Sequence, residues 1–121
     1  MPNSQKNQIV NLEYLRTISD GNQAFEKSML EMYLKLTPKE LGKMRVGLAE
    51  SDYSVLQNGA HKLVSSVGLI GAAVMKEKLL SIELIAMSKS DLDKISVLLH
   101  EIEEEHNKVT LELNQILNEL S

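Results

Sequence analysis

The strongest constraint on the fold is a series of apolar positions three and four residues apart, in long runs separated by short capping signals. The longest run covers 91–119 on Ile95, Leu98, Leu99, Ile102, Val109, Leu111, Leu113, Ile116 and Leu117, the pattern of a helix that buries one face. A run over 72–87 uses Val74, Met75, Leu79, Ile82 and Ile85, and one over 52–69 uses Leu56, Ala60, Leu63 and Val67. Another, over 22–50, begins with Phe25, Met29, Met32, Tyr33 and Leu36 and continues with Leu41, Met44, Leu48 and Ala49. Leu12, Leu15 and Ile18 predict a short first helix that ends near Asp20-Gly21.

The breaks carry their own chemistry. Ser51 or Asp52 can cap the 52–69 helix, and Gly68 with Gly71 punctuates its end. Ser90 is the expected cap of the last helix, with Asp93 at its third position. In "TPKE", Thr37 can cap, Pro38 suits a first helical position, and Glu40 completes a capping box. The 22–50 run is therefore expected as two helical pieces, broken or kinked at Thr37-Pro38. No strand-like alternation competes, and no linker divides the chain. The expectation is all-α: an antiparallel up-down four-helix bundle with a short extra N-terminal helix. It forms one domain, 11–121, behind a flexible tail of residues 1–10.

Composition narrows the function. With one Phe, three Tyr and no Trp among 121 residues, the core falls to aliphatic side chains and methionine, with the six methionines as gap-fillers. The absence of cysteine excludes disulfides, thiolate metal sites and a cysteine nucleophile. A net charge of −4 without a basic stripe argues against nucleic acid as the main partner. No apolar run approaches the ~20 residues of a membrane span. The opening MPNSQKNQ is polar and unlike a signal peptide, so a cytoplasmic protein without a membrane partner is expected.

Within "NGAHKLVSSVGLIGA", residues 58–72, one histidine stands among small and apolar residues. Leu56, Ala60, Leu63 and Val67 form the core stripe of that helix, and His61 lies about 140° around the helix from Leu56. The residues on its side are Ser54, Asn58, Ser65 and Gly68, all short. A low wall around one imidazole lets a large partner reach the ring edge. Neutral imidazole is a nucleophile near physiological pH, and either ring nitrogen can take a phosphoryl group. The competing reading is a surface histidine without a role.

"AHKLVSSVGLIGA" resembles the signature of histidine-containing phosphotransfer (HPt) domains, A-H-x-L-K-G-x-x-x-x-x-G-A. Ala60, His61, Leu63, Gly71 and Ala72 match it. "DGNQAFEKSMLEMYL" and "LGKMRVGLAESDYSVLQNGAH" are similar to the family's helices ahead of the site, so the resemblance covers nearly the whole chain. It implies a phosphorelay intermediate of two-component signalling. The phosphoryl group would come from the aspartate of a response-regulator receiver domain, or from a hybrid kinase. It would rest on His61, by resemblance on Nε2, and pass to another receiver. The resemblance further implies no ATP-dependent kinase or hydrolase activity and no cofactor of its own, with Mg²⁺ supplied by the receiver. The phosphoprotein is expected to be a monomer.

The chain departs from that signature where Lys-Gly is usual: Val64 and Ser65 stand there. Val64 removes a cation one turn from the ring, and Lys62 points about 100° away from His61. Ser65 is a candidate phosphoryl contact, or could bond back to the carbonyl of residue 61. Glu83 lies 22 residues after His61, where some relatives carry Gln or Glu; accepting from one ring nitrogen, it would orient the imidazole. Lys76, two turns earlier on the same helix face, is the remaining candidate for a compensating cation. With these departures, the alternatives are a degenerate module that binds a receiver or another helical partner without phosphotransfer, and a purely structural helical module. "HEIEEEH", residues 100–106, holds one E-x-x-H pair, Glu103 and His106. A di-iron bundle needs a second pair, so a solvated acidic face is the expectation.

Overall fold

The computed structural model describes residues 9–120. They form α1 (Glu13–Ser19), α2 (Gln23–Ala49), α3 (Tyr53–Leu69), α4 (Ala73–Met87) and α5 (Leu92–Leu120), with no strand among the described residues. Helices α2 to α5 close into a four-helix bundle: each packs on its sequence neighbour, and α5 returns against α2. α1 lies on α2. The short connections force antiparallel neighbours.

Local chemistry sets most helix starts. Asn22 Oδ1 accepts from the Phe25 N–H at 3.0 Å and Asp52 Oδ1 from the Val55 N–H at 3.1 Å, each satisfying a free first-turn donor. At α5 the cap is Asp91, whose Oδ1 accepts from the Lys94 N–H at 3.1 Å. This corrects the expectation of Ser90, whose hydroxyl is instead paired with that of Ser88 at 2.8 Å.

The core is filled by Leu30 and Met44 of α2, Leu56 and Leu63 of α3, Met75, Leu79 and Ile82 of α4, and Ile95, Leu99 and Ile102 of α5. The expected stripe on α3 is buried throughout. Gly59 lets α2 and α3 approach closely, since a Cβ there would stand 2.5 Å from Met44 Cγ. Gly71, at φ +67°, turns the chain from α3 to α4, and a Cβ on it would fall 2.1 Å from the Asn11 carbonyl oxygen. That close seat brings residues 9–12 onto the bundle: the Asn11 N–H donates to the Ile70 carbonyl at 3.0 Å. The first eight residues of the expected tail lie outside the described residues; Ile9 and Val10 are packed, with the Ile9 N–H donating to Glu112 Oε1 at 2.7 Å.

α2 corrects the sequence reading twice. It is one helix of 27 residues with Pro38 inside it. Thr37 is fully buried and serves no cap. The proline ring is on the exposed side, while Tyr33, Thr37, Leu41 and Met44 hold both halves against the core. Tertiary packing thus overrides a local start signal. The buried face is also rotated. It carries Glu26, Leu30, Tyr33, Thr37, Leu41 and Met44, whereas Phe25, Met32 and Leu36 are exposed and Met29 is half-buried. Met87 is exposed like Met32, so not every methionine fills the core.

Two of the three polar residues on this buried face, Glu26 and Tyr33, have internal partners, while Thr37 Oγ1 is buried without a hydrogen-bond partner among the described residues. Glu26 meets Arg16 Nε at 3.4 Å, tying α1 to α2. The Tyr33 hydroxyl stands 2.8 Å from His106 Nδ1. Burial pushes the Tyr33 phenol above its ordinary range and the His106 imidazole below its own, each because the charged form loses its hydration. Neutral His106 accepts the Tyr33 O–H at Nδ1 and presents its Nε2 proton to Thr110 Oγ1, 3.4 Å away.

Candidate functional site

α3 places His61 on the outer side of the bundle, facing away from the Leu56-Ala60-Leu63-Val67 stripe. Its side chain is 76% exposed. Ser54, Asn58 and Ser65 on the same side are exposed and short, and Gly68 is half-buried, which agrees with a ring open to solvent.

Glu83 comes from the neighbouring α4, and its Oε2 stands 2.8 Å from His61 Nδ1. The carboxylate is largely covered, at 18% exposure. A carboxylate can only accept, so Nδ1 carries the proton and Nε2 holds the free lone pair. That nitrogen points away from Glu83, toward solvent. The antiparallel α3–α4 pair makes this contact possible, because two residues 22 apart in sequence meet across one interhelical groove.

Ser65 makes no hydrogen bond to the ring. It lies one turn further along α3, in a cleft of about 560 Å³ with Val64, Gly68, Leu69, Lys76 and Tyr14. Its hydroxyl does not bond back to the carbonyl of residue 61. Lys62 turns the other way, its Nζ 4.0 Å from Glu40 of α2. The E-x-x-H pair of α5 is split: Glu103 pairs with Arg45, while His106 faces the core. Among the described residues no three metal-ligating side chains converge.

The helices adjacent to the site expose apolar side chains. On α2, Phe25, Met29, Met32 and Leu36 form an outward stripe whose near end is one turn from Glu40, the residue beside Lys62. On α4, Leu80, Leu84 and Met87 are 41%, 67% and 57% exposed around Glu83. The α4 strip thus surrounds the residue that holds His61, and the α2 strip begins one turn from the residue that meets Lys62. Helical spacing alone assigned the α2 strip to the core, while it left Leu80 and Leu84 out of the apolar run over 72–87.

The site is thus an accessible imidazole on a helical bundle, held by a carboxylate at one nitrogen and open at the other. The family model for Hpt domains matches residues 28–120. The chain is similar in structure to histidine-containing phosphotransfer protein B (HptB) from Pseudomonas aeruginosa PAO1, at 16% sequence identity, with 92% of this chain and 96% of that one covered and a TM-score of 0.85. Among curated proteins nothing matches. The chain belongs to the Hpt domain family, the phosphorelay proteins of two-component signalling, whose members work with receiver domains and histidine kinases. No helix among the described residues is long and apolar enough to cross a membrane.

Proposed function

We propose that this chain carries a phosphoryl group on His61 Nε2 between two receiver aspartates, or from a hybrid kinase to a receiver. The observation that carries the reading is the 2.8 Å contact between Glu83 and Nδ1 beneath a ring that is 76% exposed. It fixes the tautomer whose outward nitrogen is the nucleophile.

In the forward step the Nε2 lone pair attacks phosphorus of the aspartyl phosphate. The N–P bond forms as the P–O bond to the aspartate carboxylate breaks, and the carboxylate leaves with the electron pair. The ring, now bonded to phosphorus at Nε2 and protonated at Nδ1, is cationic, and Glu83 stabilises that charge. Transfer to the next receiver is the same displacement in reverse. The bundle contributes position and a prepared nucleophile; Mg²⁺ comes with the receiver, and no cofactor of this chain is invoked. The apolar strips on α2 and α4 supply the docking ground, and the chain acts as a cytoplasmic monomer.

Incubation with a phosphorylated receiver and gel separation tests this. Wild type takes the label and His61→Gln does not; label retained in His61→Gln refutes the site. A chain that binds phosphorylated receivers but accepts nothing from them is the degenerate module instead.

A further inference from the structure

The charge around His61 is one-sided. A phosphoryl group brings up to two negative charges to a ring already 2.8 Å from the Glu83 carboxylate. Val64, one turn on, is apolar and half-buried. Lys62 is drawn toward Glu40 at 4.0 Å, Lys78 is held by Glu101 at 3.0 Å, and Arg45 is held by Glu103.

Among the described residues, the cation that faces the groove is Lys76. Lys76 of α4 reaches across Gly68 of α3, with Nζ 3.9 Å from where a Cβ on that glycine would sit, and apart from the local α3 chain no other atom comes within 4 Å of that point. It shares the cleft with Ser65, one turn from His61. On α4 it lies two turns before Glu83 and on the same side of the helix, so both project toward α3. Its ammonium has no hydrogen-bond or ion-pair partner among the described residues.

We propose that Lys76 is the counter-ion of the phosphoryl group at His61, delivered from the neighbouring helix along the groove that Gly68 keeps low. A swing of about one helical turn, 5.4 Å, carries the ammonium from Gly68 to Ser65, and its four-carbon stem is flexible enough for that. Ser65 and Lys76 then meet the phosphoryl oxygens from one side while Glu83 holds the ring from the other. The proposal rests on the reading of His61 as the phosphoryl carrier.

Phosphoramidate, a small phosphodonor, loads the protein without a receiver, and ³¹P NMR then follows the phosphoryl resonance against pH. Lys76→Gln raises the second pKa of the phosphoryl group by about 0.4, the effect of one charge over roughly 8 Å of water-exposed groove. Lys76→Arg keeps the wild-type value, and Val64→Lys in the Lys76→Gln background restores it. Transfer from a phosphorylated receiver falls about threefold in Lys76→Gln and recovers in the same two variants. A labelled wild type whose phosphoryl titration and transfer rate are unmoved in Lys76→Gln overturns the role of Lys76 and leaves His61 standing. A wild type that neither donor labels at His61 overturns both.

Discussion

Lowering the pH from 7.5 to 5.5 weakens this fold through His106. In the unfolded chain an imidazole takes up its proton near pH 6.5. In the folded chain His106 is 8% exposed, and burial moves its titration to lower pH. Below about pH 6.5 the unfolded state therefore binds more protons than the folded one. Stability is lost as pH falls, until the buried ring itself protonates. A ring that stays neutral down to pH 5.5 costs at most about 1.4 kcal/mol over this interval, one proton across the single pH unit below 6.5. Protonation at Nδ1 also forces the Tyr33 hydroxyl, 2.8 Å away, to turn its proton elsewhere. Urea denaturation of wild type and His106→Gln, at both pH values and fixed ionic strength, isolates the effect. Taking the difference between the pH values removes the constant cost of replacing the ring and the titration of every other group. Wild type loses up to about 1.4 kcal/mol more than the variant; equal losses, or a larger loss in the variant, refute the assignment of a buried neutral imidazole.

Two further substitutions probe the frame and the site. Gly71→Ala costs at least about 2 kcal/mol in urea denaturation, because a left-handed φ and a backbone clash act together; an unchanged midpoint contradicts the close seat of Asn11. Glu83→Ala slows phosphoryl transfer about tenfold by quenched-flow assay, a cost near 1.4 kcal/mol for losing a charge-assisted hydrogen bond at a partly exposed ring. Glu83→Gln, whose amide oxygen still accepts from Nδ1, slows it less, and an alanine variant as fast as wild type removes Glu83 from the mechanism.

The bundle was legible because capping residues and apolar spacing agree at most helix ends: Asp52, Gly71 and the 95-99-102 stripe say the same thing locally and globally. α2 is where they part. Thr37-Pro38-Glu40 carries the local signature of a helix start, yet the helix continues, because what holds it lies on α3, α4 and α5. The most apolar face of α2 was also the wrong one to bury. Counting apolar residues cannot register that Glu26 has Arg16 and Tyr33 has His106 as partners, which make a polar face affordable inside. The rotation exposes Phe25, Met32 and Leu36 and creates the apolar strip on α2. At the site itself, short neighbours on one helix face revealed the open side of the imidazole. The Glu83 contact was suggested by resemblance alone, and the direction of Lys76 depends on how α4 lies against Gly68, which no local pattern encodes.

The nitrogen that carries phosphorus can be read directly. Uniformly ¹⁵N-labelled protein, loaded with phosphate and examined by long-range ¹H–¹⁵N correlation of the imidazole rings, reports which ring and which atom is modified. The account predicts one modified ring, His61, bonded to phosphorus at Nε2 with Nδ1 still protonated against Glu83. Phosphorus on Nδ1 of that ring, or on exposed His100 instead, contradicts it.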